Sequence, residues 1–156
     1  MSSPYACEFD PDVTDDASFL ELLAYWQDKR AGRELPLRAA IDPLELRRHL
    51  GSLGMIECLP EFEDFRFRLI GSRIVETYGR DSTGKTVGEL YAQTDPAFGD
   101  FLRNTLRHVA THKLIARCTG SLRPVDRDYR RFDSLLLPLD GGDGAVGWIL
   151  NGVHFS

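Results

Sequence analysis

The sequence lacks the features that mark membrane, secreted and nucleic-acid-binding proteins. No stretch approaches the roughly 18 apolar residues of a membrane span. The N-terminal segment MSSPYACEFDPDVTDD has no basic region followed by an apolar run, which argues against a signal peptide. The net charge of −5 gives no basic excess to attract nucleic acid or an anionic membrane. We therefore expect no membrane partner and no nucleic-acid partner.

Cysteine is also scarce. Cys7, Cys58 and Cys118 are an odd number, lie far apart and form no C-x-x-C motif, which argues against a disulfide framework or a zinc knuckle. Cys58 and Cys118 fall in predicted strands, where cysteine usually acts as an inert small hydrophobe. This pattern favours the reducing cytoplasm as the location.

The length and composition predict one domain with one core, since 156 residues with 42% hydrophobic residues would leave two domains short of core. We expect residues 1–14 to be flexible. Residues 15–51 should form an N-terminal helical extension, and residues 52–156 should form the main domain.

The extension is predicted to contain two helices. Asp16 or Ser18 can cap the first, which should end near Gly32. The second, shorter helix is predicted between Asp42 as its cap and Gly51 as its stop. The first helix is apolar over more than one face, so it would suit docking onto a second subunit or a signalling partner. Its interface candidates are Phe19, Leu22, Leu23 and Trp26. The alternative is that these side chains pack on their own domain.

The remaining pattern predicts an α+β domain. Residues 53–59 and 65–70 should form a hairpin, because FRFRLI alternates apolar and charged residues as a half-buried strand does. Short helical pieces follow, and Asp95 and Pro96 then open a longer helix. Three further strands are predicted at 114–122, 129–139 and 145–155, separated by the turns RPVDR and GGDG. Five antiparallel strands with helices on one face are therefore expected.

The segment GRDSTGKT, residues 79–86, fits the phosphate-binding pattern G-x-x-x-x-G-K-[ST]. Such a loop needs a buried parallel strand before it and a long helix after it. The preceding SRIVETY reads as helical, and Pro96 limits the following helix to about two turns. A nucleotide-binding protein of this kind also needs a second, acidic element that holds magnesium, and LLLPLD at residues 135–140 could be taken for it. Pro138 within this run disfavours a central strand, so we do not expect it to supply that element. We expect a capped turn between two short helices.

The segment GSRIVETYGRDSTGKTVGEL, with a hairpin before it and a helix and three strands after it, resembles the PAS domain. The resemblance covers roughly residues 15–155. It is closest to the short stand-alone bacterial PAS proteins, through Trp26, Leu35, Pro36, Arg38, Ile41, Asp42 and Pro43. What it implies is a sensory or protein-docking module, not an enzyme, with a pocket between sheet and helices. No kinase, cyclase or DNA-binding segment follows Ser156, so output is expected to pass to a partner in trans.

For such a pocket, apolar walls and a few polar groups are expected. The wall candidates are Phe67, Leu69, Tyr78, Tyr91, Phe101, Tyr129 and Trp148, with Arg117 or His112 as the polar partner. The alternative is that all of these residues are core. The sequence does not identify a cofactor, and the cysteine-containing segment of flavin-based light sensors is absent.

His108 and His112 are spaced to lie on one face of the Asp95 helix. PAS domains that bind haem use a histidine from about this region, but histidines placed against the helix dipole or packed at the helix end are the favoured explanation of the pair. The Arg-rich RPVDRDYRR could clamp an anion, although its aspartates favour a salt-bridged turn. No catalytic residues are predicted.

We therefore expect a sensory PAS module that binds a small molecule, docks a signalling partner, or forms a homodimer. A ligand-free adaptor is the main alternative. An enzyme that uses GRDSTGKT or the histidine pair is the less favoured one.

Overall fold

The computed structural model describes residues 4–122 and 127–156, with the side chains of all of these except 127–129. Within them the chain forms six strands and four α-helices. In chain order these are β1 (Tyr5–Phe9), α1 (Ala17–Lys29), β2 (Leu53–Cys58), β3 (Phe65–Ile70), α2 (Ser72–Tyr78), α3 (Val87–Tyr91), α4 (Pro96–His112), β4 (Ala116–Leu122), β5 (Arg127–Asp140) and β6 (Val146–Phe155). None of the described helices is both long and apolar enough to cross a bilayer.

The strands form one antiparallel sheet in the order β1-β4-β5-β6-β2-β3. The predicted α+β class, the hairpin of β2 and β3, and the last three strands are confirmed. The predicted number of strands, five, is one too low. Residues Tyr5–Phe9 pair with β4, although this segment was expected to be flexible. This strand is short and its partner lies more than 100 residues later, so no local hairpin signal marks it.

The helices α2, α3 and α4 lie on one face of the sheet, as predicted for the main domain, and α1 of the N-terminal extension lies on the other. A Cβ atom added to Gly152 of β6 would lie 2.8 Å from Cδ2 of Leu22 in α1. Side chains alternate along a strand, so the neighbours Asn151 and Val153 point to the opposite face, beneath α4. The extension is thus a third layer of the same domain.

The two main helices begin where the sequence predicts. The carboxylate of Asp16 accepts a hydrogen bond from the backbone N–H of Phe19 at 2.9 Å, and that of Asp95 accepts one from Phe98 at 3.1 Å. Each carboxylate satisfies a donor that the first turn of a helix leaves free. The caps therefore set the start of α1 and α4.

The helix predicted after Asp42 is absent. Residues 43–49 form turns with i to i+3 hydrogen bonds, for example from Glu45 N to Asp42 O at 3.0 Å. Leu46 is the only residue of that stretch that is fully buried, so a helix there would have no apolar face to pack. The chain before this segment is held to the sheet at Pro36, whose carbonyl accepts a hydrogen bond from Asp140 N at 2.8 Å.

Pro138 lies within β5, a strand that pairs on both sides. Its pairing with β4 has already ended at Leu136, so Pro138 has a strand neighbour on one side only. Proline is tolerated at such a locally free edge, where no ladder hydrogen bond needs its missing N–H. The Pro138 carbonyl is used by α1, since it accepts a hydrogen bond from Nε1 of Trp26 at 2.8 Å.

Candidate functional site

A cavity of about 100 Å³ lies between the sheet and the layer of α2, α3 and α4. Most of the side chains around it are apolar or aromatic. From the sheet these are Ile56, Phe67, Leu69, Ile70, Phe132, Leu136 and Val153, and from the helices Ile74, Tyr78, Leu90, Tyr91, Phe98, Phe101 and Leu102.

A few polar groups also reach the cavity. Ser134 of β5 and Asn151 of β6 contribute a hydroxyl and an amide from the sheet, and Arg80 and Ser82 contribute from the loop after α2. A Cβ atom at the neighbouring Gly54 would lie 3.2 Å from Oδ1 of Asn151, so the glycine leaves space beside this amide. An apolar cavity with a few convergent polar groups is the usual form of a small-molecule site.

Two phenols belong to the helical wall, Tyr91 being buried and Tyr78 partly buried. Burial raises the pKa of Tyr78 well above its ordinary value. Burial also raises the pKa of Tyr91, although the nearby Arg80 guanidinium opposes that shift. Both hydroxyls are therefore neutral at physiological pH and can donate a hydrogen bond.

Five of the residues selected from the sequence come together at this cavity. The strand β3 supplies Phe67 and Leu69, and the helices supply Tyr78, Tyr91 and Phe101. Leu69 lies at the rim, since 43% of the residue is exposed. The alternation of FRFRLI and the helical spacing of the aromatic residues were sufficient signals for these positions.

Three other selected residues lie elsewhere. Arg117 points away from the cavity, where its guanidinium contacts Asp133 at 2.8 Å and Asp15 at 2.6 Å. Trp148 is on the same opposite face, with the Arg38 guanidinium 5.3 Å from its ring centroid. His112 is exposed at the end of α4. Arg117 and Trp148 were misplaced because a shift of one residue along a strand reverses the face.

The side chain of the last wall candidate, Tyr129, lies outside the described residues, as do residues 123–126 of the predicted RPVDR turn. The wall residues that sequence reasoning missed include Ser134, Asn151 and Val153. The period of two along β6 could have found the last two once its inward face was known, because Gly152 between them packs against α1.

The histidine pair is a surface feature. The rings of His108 and His112 lie 4.4 Å apart between centroids, and His108 also packs 4.2 Å from the ring of Phe9. Both residues are exposed. Across residues 4–122 and 127–156, no group of three or more metal-ligating side chains occurs. The pair therefore does not face the cavity as a haem ligand would.

The GRDSTGKT segment has the geometry of a capped turn. Its backbone N–H groups already donate within the chain, from Gly84 to Phe67 O at 2.6 Å and from Lys85 to Ser82 O at 3.1 Å. Thr86 caps α3 by accepting a hydrogen bond from Glu89 N at 3.1 Å. A phosphate loop needs these donors free and a long helix behind them, and α3 has only five residues.

The proposed docking face of α1 is already occupied. Phe19, Leu22 and Trp26 are buried within the chain's own core, and Leu23 is partly buried against it. Their apolar stripe packs on the sheet face opposite the cavity. These side chains are therefore not exposed for a partner, and packing on the same domain accounts for the pattern.

The comparisons with known proteins agree with this architecture. A family model described as the PAS domain matches residues 14–152. The chain belongs to the PAS-domain family. Membership of this family supports a sensory or signalling module in general terms, and its match begins before α1, consistent with a helical layer that belongs to the domain.

A solved structure described as an RNA-binding light-oxygen-voltage receptor shares the fold, with a TM-score of 0.52 and 14% sequence identity. The alignment covers 98% of this PAS chain and 38% of the receptor chain, so it spans well under half of that protein. A search of curated proteins found no match.

Proposed function

We propose that this PAS domain is a sensor that binds a small, uncharged and mainly apolar molecule in the cavity between the sheet and α2, α3 and α4. The observation that carries the proposal is the apolar cavity with the Asn151 amide and the Ser134 hydroxyl on its sheet wall. A filled core would have no such space, since protein interiors are otherwise close-packed.

The size of the cavity limits the ligand. An engineered apolar cavity of about 150 Å³ accepts benzene. The cavity here is about 100 Å³, so without rearrangement it suits a molecule no larger than a single ring. Larger ligands would require α3 or the loop after α2 to move.

The chemistry of the walls limits the charge of the ligand. Of the described residues around the cavity, only Arg80 is charged, and it is exposed. A charged ligand would lose its hydration without gaining a buried counter-ion, at a cost of several kcal/mol. A neutral molecule with one or two hydrogen-bonding groups could use the amide of Asn151 or the hydroxyl of Tyr91.

Two substitutions at Ser134 test this proposal. Ser134→Leu places a bulkier side chain in the cavity, whereas Ser134→Ala removes the hydroxyl and leaves the space open. Thermal unfolding would be followed with and without phenol, a neutral single ring with one O–H donor, and native mass spectrometry would count bound molecules. We expect phenol to stabilise the wild type and Ser134→Ala, and to have no effect on folded Ser134→Leu.

Equal stabilisation of Ser134→Leu and the wild type would place binding outside this cavity. The absence of a thermal shift with a panel of neutral single-ring compounds would support a ligand-free adaptor instead. Far-UV circular dichroism of both variants serves as the folding control.

Transmission of the signal to a partner in trans, and homodimer formation, remain predictions. Docking through α1 has less support than ligand binding, because Phe19, Leu22 and Trp26 are buried within the domain. RNA binding is described for the receptor that shares the fold. For this chain we expect no nucleic-acid partner, because its net charge of −5 would repel the phosphate backbone.

A further inference from the structure

Two cysteines that are distant in the sequence lie opposite each other at the edge of the sheet. Cys7 of β1 and Cys118 of β4 are register partners, and their sulfur atoms lie 3.0 Å apart although 111 positions separate them. Opposed residues on antiparallel strands have Cα atoms about 4.5–5.5 Å apart. A disulfide needs a Cα separation of about 4.4–6.8 Å, so this pair could be bridged without moving either strand.

The two thiols have different surroundings. Cys7 is half-buried on the outermost strand, and Cys118 is buried and forms part of the cavity wall. Both are free thiols, and the Cys118 S–H donates toward the Cys7 sulfur. That hydrogen bond lowers the pKa of Cys7 and raises the pKa of Cys118, and a hydrogen bond with Thr105 of α4 lowers the Cys7 value further. Cys7 is thus both the more accessible thiol and the better thiolate.

The third cysteine provides a contrast. Cys58 ends β2, and burial raises the pKa of its thiol to about 12. The sheet order places β1 and β2 four positions apart, with β4, β5 and β6 between them. Cys58 therefore serves as an internal control for general thiol oxidation.

We propose that Cys7 and Cys118 form a peroxide-responsive pair in which oxidation by hydrogen peroxide produces an intrachain disulfide. The Cys7 thiolate attacks one peroxide oxygen, the O–O bond breaks, and Cys7 becomes a sulfenic acid. The hydroxide that leaves takes up the proton that the Cys7 thiol released on ionisation and becomes water. The Cys118 sulfur then attacks the Cys7 sulfur. The sulfenic hydroxyl leaves with the Cys118 proton as water. Two thiols lose two electrons, and one peroxide becomes two waters.

Oxidation of the pair would restrain one wall of the cavity, because β1 also carries Tyr5, which packs against residues of that wall. The Tyr5 ring stacks 5.1 Å from the ring of Phe101 and lies 5.1 Å from that of Phe98, and both of these rings line the cavity. A bond between β1 and β4 would fix this edge strand beside the aromatic end of the cavity. Edge strands open easily without such a link.

The test is a peroxide titration of the reduced protein. The remaining thiols would be alkylated under denaturing conditions, followed by intact mass measurement and non-reducing peptide mapping. We expect the wild type and Cys58→Ser each to lose two hydrogen atoms and to yield a peptide that joins Cys7 to Cys118. Dithiothreitol should restore all thiols. Hydrogen exchange of residues 5–9 should slow on oxidation and recover on reduction.

Single substitutions give the order of the steps. In Cys118→Ser, dimedone should label a sulfenic acid on Cys7, because no second thiol resolves it. In Cys7→Ser, Cys118 should stay reduced at the same peroxide concentration. The proposal is overturned if Cys7 and Cys118 both remain alkylatable when Cys58 is oxidised, or if the disulfide joins two chains. None of these measurements involves the ligand, so they are independent of the function proposed for the cavity.

Discussion

Replacing Trp26 tests whether α1 is part of the domain core. Only 4% of Trp26 is exposed, and its Nε1–H donates to Pro138 O at 2.8 Å. Truncation of a buried tryptophan to alanine typically costs about 3–5 kcal/mol, from lost burial and from the cavity it leaves. Domains are stable by about 5–15 kcal/mol, so Trp26→Ala should remove a large part of the free energy of unfolding.

A second variant removes the hydrogen bond with a smaller loss of packing. Trp26→Phe keeps an aromatic ring but removes the donor, which leaves the buried Pro138 carbonyl without this partner. That loss should cost about 1–3 kcal/mol. Leu20→Ala is the matched control on the same helix, because 40% of Leu20 is exposed, and we expect a change below about 1 kcal/mol.

Urea unfolding followed by far-UV circular dichroism is the appropriate assay, because the chain has two tryptophans and Trp26→Ala alters the fluorescence itself. In a thermal scan Trp26→Ala should lower the Tm by roughly 6–20 °C. Gel filtration of the same samples reports the oligomeric state. A stable Trp26→Ala protein that had only changed from dimer to monomer would refute the burial argument and restore α1 as a docking helix.

Three further outcomes are expected. Asp140→Asn should lower the free energy of unfolding at neutral pH by about 1–2 kcal/mol. The Asp140 carboxylate accepts hydrogen bonds from the backbone N–H groups of Gly142 and Gly144 and from the guanidinium of Arg33. These contacts lower the pKa of Asp140, so the contribution is present above about pH 4 and should fade as the pH of a urea titration falls below it. Thr86→Ala should cost about 0.5–2 kcal/mol through loss of the helix cap, whereas the exposed Lys85→Ala should change stability by less than about 0.5 kcal/mol. If a nucleotide raised the Tm of the wild type and Lys85→Ala abolished that rise, the GRDSTGKT segment would have to be a phosphate-binding loop after all. Gly120→Ala would place a Cβ atom 2.5 Å from the Tyr5 ring, so β1 should exchange its amide hydrogens faster, and unchanged exchange would contradict that packing.

The elements with strong local signals were the most predictable. Asp16 and Asp95 each stand where a helix begins, and each accepts the expected hydrogen bond. The alternation of FRFRLI predicted β3 at residues 65–70. The two glycines in GRDSTGKT and the short helices on either side indicated a turn, and Thr86 does cap α3. Together with the PAS resemblance, these local features were enough for the fold class.

Non-local pairing accounts for the elements that were missed. The strand β1 becomes a strand only because β4 presents a free edge to it, as the pairing of Cys7 with Cys118 illustrates. The same contact brings together two thiols that the sequence suggested were unrelated. Neither fact has a signal within a local window, since the partners lie 111 positions apart.

The faces of the strands and of α1 were decided in the same way. The sequence by itself determined that α1 has an apolar stripe and that the strands alternate, because spacing fixes which residues share a face. Only the tertiary structure decided what each face meets. Gly152 lets Leu22 approach the sheet, which buries α1 within its own domain and leaves the opposite face, with Ser134 and Asn151, to line the cavity. Burial is a property of the packed layers, and a periodic pattern is compatible with either face until those layers meet.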